Sequence, residues 1–412
     1  MLDIDKTRAD FPMLQETLYG KPLVYLDNAA TTHKPRVVLD RLMTYYMCQN
    51  SNCHRGAHYL SERAGEAYAA ARESVRSFLH ARHTHEIIFT RGATESINLA
   101  AGSFGREFVK GGDEILITQM EHHSNIVPWQ MMCEHQGATL KVLPIDKNGL
   151  LELKKLDGLI TEKTRLLCTA YVSNALGTVN PIREIIAFAH SRGVPVLVDA
   201  AQAVQHMPVD VQALDCDFLV FSGHKMYAET GIGVLYGKER WLEAMPPYQT
   251  GGGMITDVNL KKTTYAELPL KFEAGSANTA GALTLQAAIE YLQQIGLAAI
   301  GDYEQDLIDK TARRIASLDG VTVYGDSSQR CGVVSFNLDQ AHPYDVGMIL
   351  DKYAVAVRTG MHCAQPLMDA LGIPGTVRVS IALYNTDREM DQLMAGLEKA
   401  QALLCPSCAA AG

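Results

Sequence analysis

The 412-residue sequence predicts an α/β protein, with a mostly parallel seven-stranded sheet in a large domain and a smaller α+β domain after it. Three observations lead there. Seven short apolar, β-branched runs recur between residues 85 and 237, too brief for helices, so they read as buried strands. Helix-like segments such as Pro181 to His190 separate several of them, and that alternation favours parallel neighbours. After about residue 285 the texture changes to long helical stretches with two strand-like runs.

The elements follow in order. Ser61 is expected to cap an Ala-rich helix whose Tyr68, Ala71, Val75, Phe78 and Leu79 share one face. The strand runs are His85 to Thr90, Glu114 to Thr118, Leu140 to Ile145, Thr164 to Val172, Val194 to Asp199, Asp217 to Ser222 and Gly231 to Tyr236. A helical stretch through Tyr291, Leu292, Ile295, Leu307 and Ile308 precedes strands at Val321 to Tyr324 and Gly332 to Phe336. An amphipathic helix begun at Thr386 or Asp387 turns Met390, Leu393, Met394 and Leu397 inward. The large domain is expected over residues 18–285 and the small one over 286–405, with residues 1–17 packed on the latter and 406–412 a flexible tail.

Composition narrows the function. Apolar residues make up 47% and charged residues 20%, the balance of a folded globular protein. The net charge of −9, without a basic run, disfavours nucleic acid as a partner. Nine cysteines scattered over a long chain read as reduced thiols. The opening residues lack a signal-peptide core and no apolar stretch reaches membrane-spanning length, so a cytoplasmic location is expected. Cys405 and Cys408 lack the second ligand pair of a structural zinc site, and no metal is expected.

Nucleotide signatures fail: there is no G-x-x-x-x-G-K-[ST], and Gly231-Ile232-Gly233 precedes a strand. Instead, two buried runs deliver polar groups at their C-terminal ends, where open α/β sheets bind ligands. One ends in Val198-Asp199-Ala200-Ala201-Gln202 and the other in Ser222-Gly223-His224-Lys225. A carboxylate and an amine so placed suit pyridoxal phosphate: Asp199 would keep the pyridine nitrogen protonated and Lys225 would form the Schiff base. Thr90-Arg91-Gly92-Ala93-Thr94-Glu95 follows a strand and opens a helix, an anion site that Ser222 and His224 can complete. His122 and His123 follow another strand, so one imidazole can stack on a cofactor ring.

These segments, together with Asp27-Asn28-Ala29-Ala30, Glu121-His122-His123-Ser124-Asn125, Val172-Ser173-Asn174 and Arg358-Thr359-Gly360-Met361-His362-Cys363-Ala364-Gln365-Pro366, resemble the group II, Suf-type cysteine desulfurases. That family belongs to the class V aminotransferases of PLP fold type I, and the likeness runs from about residue 10 to 404. The resemblance implies that Lys225 is the Schiff-base lysine, Asp199 the pyridinium partner and His122 the stacked ring and proton carrier. It implies that Gln202 meets the cofactor's phenolic oxygen, that Thr94, Ser222 and His224 bind phosphate, and that Ser276 reaches the neighbouring subunit's phosphate in a homodimer. Asn174 and Arg378 would hold the substrate carboxylate. Cys363 would take sulfur from L-cysteine as a persulfide, releasing L-alanine, and pass it to a SufE- or SufU-type acceptor for iron–sulfur cluster assembly.

The residues support that role for Cys363. A free thiol titrates near roughly 8.5, so a cationic neighbour such as Arg358 or His362 favours the nucleophilic thiolate. Cys168 and Cys216 lie in or beside buried runs and read as packing residues, while Cys53 sits in loop sequence with no assignable role. The chain departs from the family at Ala228-Glu229, where Gly-Pro is usual, at Met361, Ala200 and Ser276-Ala277. Glu229 is expected to add negative charge near the cofactor. Selenocysteine lyase, cysteine sulfinate desulfinase, a transaminase of the same fold and a non-catalytic assembly subunit are the competing readings.

Overall fold

The computed structural model describes residues 3–53, 56–325 and 330–405. Its large sheet holds β1 (Ile87–Thr90), β2 (Glu114–Thr118), β3 (Thr139–Leu143), β4 (Thr164–Ala170), β5 (Val196–Asp199), β6 (Phe218–Ser222) and β7 (Gly233–Gly237). The order across the sheet is β1-β7-β6-β5-β4-β2-β3. All pairs are parallel except those of β7, which runs antiparallel to β6 and β1. The link from Ser222 to Gly233 is shorter than the dozen or so residues a parallel crossover needs, so the chain turns back instead. Every residue of β5, β6 and β7 is buried, which is why these strands read as continuous apolar runs.

Alternate strand residues feed two cores. Leu116, Val196, Val198, Leu219 and Phe221 join one cluster, while Ile115, Ile117, Leu197, Phe218 and Val220 join the other. Helix α1 (Tyr59–Phe78) packs Tyr68, Ala71, Val75 and Phe78 inward. Its N-cap is His58, not Ser61: the His58 ring accepts the Ser61 N–H, while Ser61 Oγ accepts from Gly56 and donates to the Asn52 carbonyl. Helix α2 (Ala93–Phe108) follows β1 directly.

Helices α3 (Thr279–Ile295) and α4 (Leu297–Ala316) lead to a second, antiparallel sheet of β8 (Val321–Tyr324), β9 (Val333–Leu338), β10 (Arg358–Gly360) and β11 (Thr376–Ser380), ordered β8-β9-β11-β10. Residue 285 falls inside α3, whose buried residues pack with the large-sheet core. The small sheet, α4 and the closing α5 (Asp387–Leu404) share a core of their own. Thr386 and Glu389 form a capping box at the start of α5. The N-terminal segment bridges the two parts: Arg8 pairs with Glu389 at 3.0 Å, Tyr291 donates to Asp10 at 2.9 Å, and Phe11 packs among Tyr227, Tyr291 and Tyr384. No helix among the described residues is long and apolar enough to cross a membrane.

Candidate active site

Ala170, Asp199 and Ser222 end the adjacent parallel strands β4, β5 and β6, and all three line one cavity of about 250 Å³. Lys225, Gln202, His122, Thr94, His224, Asn174, Arg358, Cys363 and Arg378 line it too. A shared strand polarity thus places polar groups 26 positions apart at one mouth. Ser276 does not line it; this exposed residue borders a separate cavity with Arg91, Tyr248 and Asn278.

Lys225 closes the short turn Gly223–Lys225. The turn is pinned through the His224 carbonyl, which accepts from the Thr32 N–H and the Thr31 hydroxyl at 3.1 Å, the Thr32 hydroxyl at 3.2 Å and Lys34 Nζ at 3.1 Å. Burial pushes the Lys225 amine down to about 8, with Asp199 resisting and Arg378 and Arg358 assisting the fall. Asp199 accepts the Ala201 N–H at 2.9 Å, and burial raises its carboxyl above the usual range. Gln202 donates to the Ala29 carbonyl at 2.7 Å, which anchors the Asp27-Asn28-Ala29-Ala30 segment beside the lysine turn.

At another wall, α2 begins at the cavity with Gly92 as an N-cap that has no side chain to offer. The Ala93 N–H donates instead to Ser222 Oγ at 2.8 Å, so strand β6 supports the helix start. A Cβ on Gly233 of β7 would stand 2.4 Å from Gly92 Cα, so glycine there lets the sheet meet the turn. Burial drops His224 to about 4, so its imidazole faces this wall uncharged. His122 is likewise pushed down to about 3, and its Nδ1 accepts the Ser124 N–H at 3.1 Å.

The opposite wall comes from the small sheet. Arg378 of β11, 2% exposed, donates to the Asn174 carbonyl at 2.8 Å and to Asp27 at 3.0 Å, while its buried Nε has no partner among the described residues. Burial lowers it only to about 10, so it keeps its charge. Arg358 of β10 places Nη2 3.9 Å from Cys363 Sγ. Burial pushes His362 down to about 3, so of the two cationic neighbours expected for Cys363 only Arg358 brings charge. His362 and Cys363 are both left-handed, at φ 54° and 56°, in a loop entered through Gly360 at φ 105°.

The residues fit pyridoxal phosphate. They offer a buried carboxylate for a ring nitrogen, an amine near neutrality for an aldehyde, and an uncapped helix start with hydroxyls for a phosphate. Glu229 departs from expectation: it does not line the cavity, and its side chain bonds Asn278. Burial raises the thiols of Cys168 and Cys216, in keeping with packing roles. Cys53 is also buried; His54, Arg55 and Cys408 lie outside the described residues. Three partners were missed in the sequence: Asp27 on Arg378, Thr32 on the lysine turn and His123 on the Cys363 loop. Each sat in or beside a motif, but the atom it meets is remote in sequence.

The Aminotransferase class-V family model matches residues 24–393. A cysteine desulfurase of Serratia proteamaculans (strain 568) is 51% identical over 402 residues, spanning 97% of this chain and 99% of that protein. The fold is similar to that of the cysteine desulfurase CsdA of Escherichia coli, with a TM-score of 0.91 and 38% identity over 98% of this chain and 100% of that one. It is similar also to the apo cysteine desulfurase of Thermococcus onnurineus NA1, with a TM-score of 0.92 and 38% identity over 98% of each chain.

Proposed function

Because the chain belongs to the class-V aminotransferase family and is a pyridoxal-phosphate-dependent cysteine desulfurase, we propose that Cys363 takes the sulfur of L-cysteine, with Lys225, Asp199 and His122 serving the chemistry and Arg378, Asn174 and Arg358 the substrate. The observation that carries this assignment is the Arg358–Cys363 contact of 3.9 Å, in the same cavity as Arg378 and Lys225.

Bound pyridoxal phosphate supplies a ring that withdraws electrons from the substrate α-carbon. Asp199 would hold the proton on the ring nitrogen, Gln202 would meet the phenolic oxygen, and His122 would lie against the ring. The uncapped start of α2 with Thr94, Ser222 and His224 takes the phosphate. Arg378 and Asn174 grip the substrate carboxylate, which turns the α-hydrogen toward Lys225; the amine removes that proton and, after the C–S bond has broken, delivers a proton to the product. The Cys363 thiolate then attacks the substrate sulfur. An S–S bond forms, the Cβ–S bond breaks, its electron pair passes to carbon and is protonated, and L-alanine leaves. His122, neutral at working pH, relays protons without storing charge.

The reading extends to a SufE- or SufU-type protein as sulfur acceptor, to iron–sulfur cluster assembly in the cytoplasm, and to a homodimer in which exposed Ser276 reaches the other subunit's phosphate. The domain division into residues 18–285 and 286–405 is part of the same proposal, with α3 crossing the boundary and packing with the large-sheet core. Mass spectrometry after exposure to L-cysteine tests the central assignment. A gain of one sulfur atom on the Cys363 peptide is expected, and its appearance on another cysteine would overturn it. Lys225→Ala should lose the visible absorption of bound cofactor together with activity.

A further inference from the structure

The Cys363 loop is held at more than its sulfur. His362 and Cys363 adopt consecutive positive φ values, a conformation that L-residues leave unless contacts hold them there. The Cys363 carbonyl accepts the His123 N–H at 2.7 Å. Two residues on, the Gln365 N–H opens the helix Gln365–Leu371, whose N-cap, Ala364, has no side chain able to satisfy it. The His123 ring does so from a remote part of the chain: Nε2 accepts the Gln365 N–H at 3.1 Å. One residue thus grips the loop twice, at the thiol residue's own carbonyl and at the helix start two residues on. It is also the neighbour of His122, whose ring lines the cavity.

We propose that His123 is a positioning residue, its imidazole acting as a cap in trans that keeps the Cys363 loop in the strained conformation presenting the thiol to the cavity. The proposal rests on Cys363 being the sulfur acceptor. Loss of the ring acceptor frees the helix start, and the left-handed pair relaxes away from Arg358 and the cavity. Backbone hydrogen bonding from residue 123 survives substitution, so the loop loosens without the fold being lost.

The test follows alkylation of Cys363 by iodoacetamide in the intact holoenzyme, peptide by peptide, with exposed Cys48 as internal control. His123→Phe keeps a flat ring and deletes the acceptor; Cys363 alkylation should quicken roughly two- to tenfold, the range one lost hydrogen bond provides. Cys48 should be unchanged, and kcat should fall by a similar factor while KM for L-cysteine holds. His123→Gln, whose amide oxygen can take the place of Nε2, should restore both readouts. Unchanged Cys363 alkylation in His123→Phe, or an equal rise at Cys48, overturns the proposal. Should that variant not fold, amide exchange at Gln365 in the wild-type enzyme decides: protection supports the cap, and exchange at the rate of an open chain refutes it. Persulfide found on another cysteine would defeat the sulfur-acceptor assignment, whereas the alkylation result reads the loop alone.

Discussion

Asp27 and Arg378, 351 positions apart, form a 3.0 Å ion pair that ties the N-terminal segment to the small sheet at the cavity wall. The Asn174 carbonyl on Nη1 and Asp27 on Nη2 fix the guanidinium, and the residue still lines the cavity. Fixing an arginine in advance lowers the entropy cost of gripping a carboxylate.

Asp27→Asn should therefore act on binding more than on turnover. Replacing a charge-assisted hydrogen bond with a neutral one is worth about 1.5 kcal/mol, or roughly tenfold. Steady-state alanine formation should show KM for L-cysteine rising by about that factor with kcat little changed. A fall in kcat alone would contradict the positioning role.

The depressed Lys225 amine sets how the apoprotein takes up cofactor. Only the neutral amine attacks an aldehyde, so incorporation should be slow in acid and speed up as pH rises through about 8. Between pH 7 and 9 the neutral fraction of such a group grows roughly tenfold and then levels, whereas an ordinary lysine near 10.4 would gain about a hundredfold and keep rising. The rate of colour formation on adding pyridoxal phosphate distinguishes the two profiles.

Gly233 offers a steric test. Alanine there would bring Cβ to 2.4 Å from Gly92 Cα and 2.8 Å from its N and C atoms, backbone that cannot step aside. Gly233→Ala should push the Gly92 turn and the start of α2 off β7 and weaken cofactor retention. Equilibrium dialysis against pyridoxal phosphate should show a loss of roughly five- to 150-fold, by analogy with the 1–3 kcal/mol that overpacking costs.

Stability rests partly on a buried pair outside the Lys225 cavity. Arg72 donates twice to Glu273, at 2.7 and 2.8 Å, and Glu273 also accepts the Phe89 N–H at 2.7 Å and the Tyr68 hydroxyl at 3.0 Å. Arg72→Met strands that carboxylate and should cost about 3–5 kcal/mol. Adding Glu273→Leu should recover part of the loss in thermal or urea unfolding. A double variant no more stable than the single one would count against an uncompensated charge as the cause.

The sequence by itself determined the strands and the polarity of the site. Parallel strands buried on both faces must be largely apolar, so β2, β5 and β6 are legible from composition, and the groups at or just past the ends of β5 and β6, Asp199 and Lys225, follow from where such sheets bind ligands. The tertiary structure alone decided what depends on chain closure. It reversed β7, because a short link cannot cross over; it chose His58 over Ser61 as the cap of α1, because Ser61 is engaged with Gly56 and Asn52. It packed α3, which spans residue 285, with the large-sheet core, and it set Asp27 on Arg378 and His123 against Gln365. Local burial writes a period into the chain, but a contact between remote residues leaves no period, since it forms only when separate elements pack and their unpaired donors and acceptors find one another.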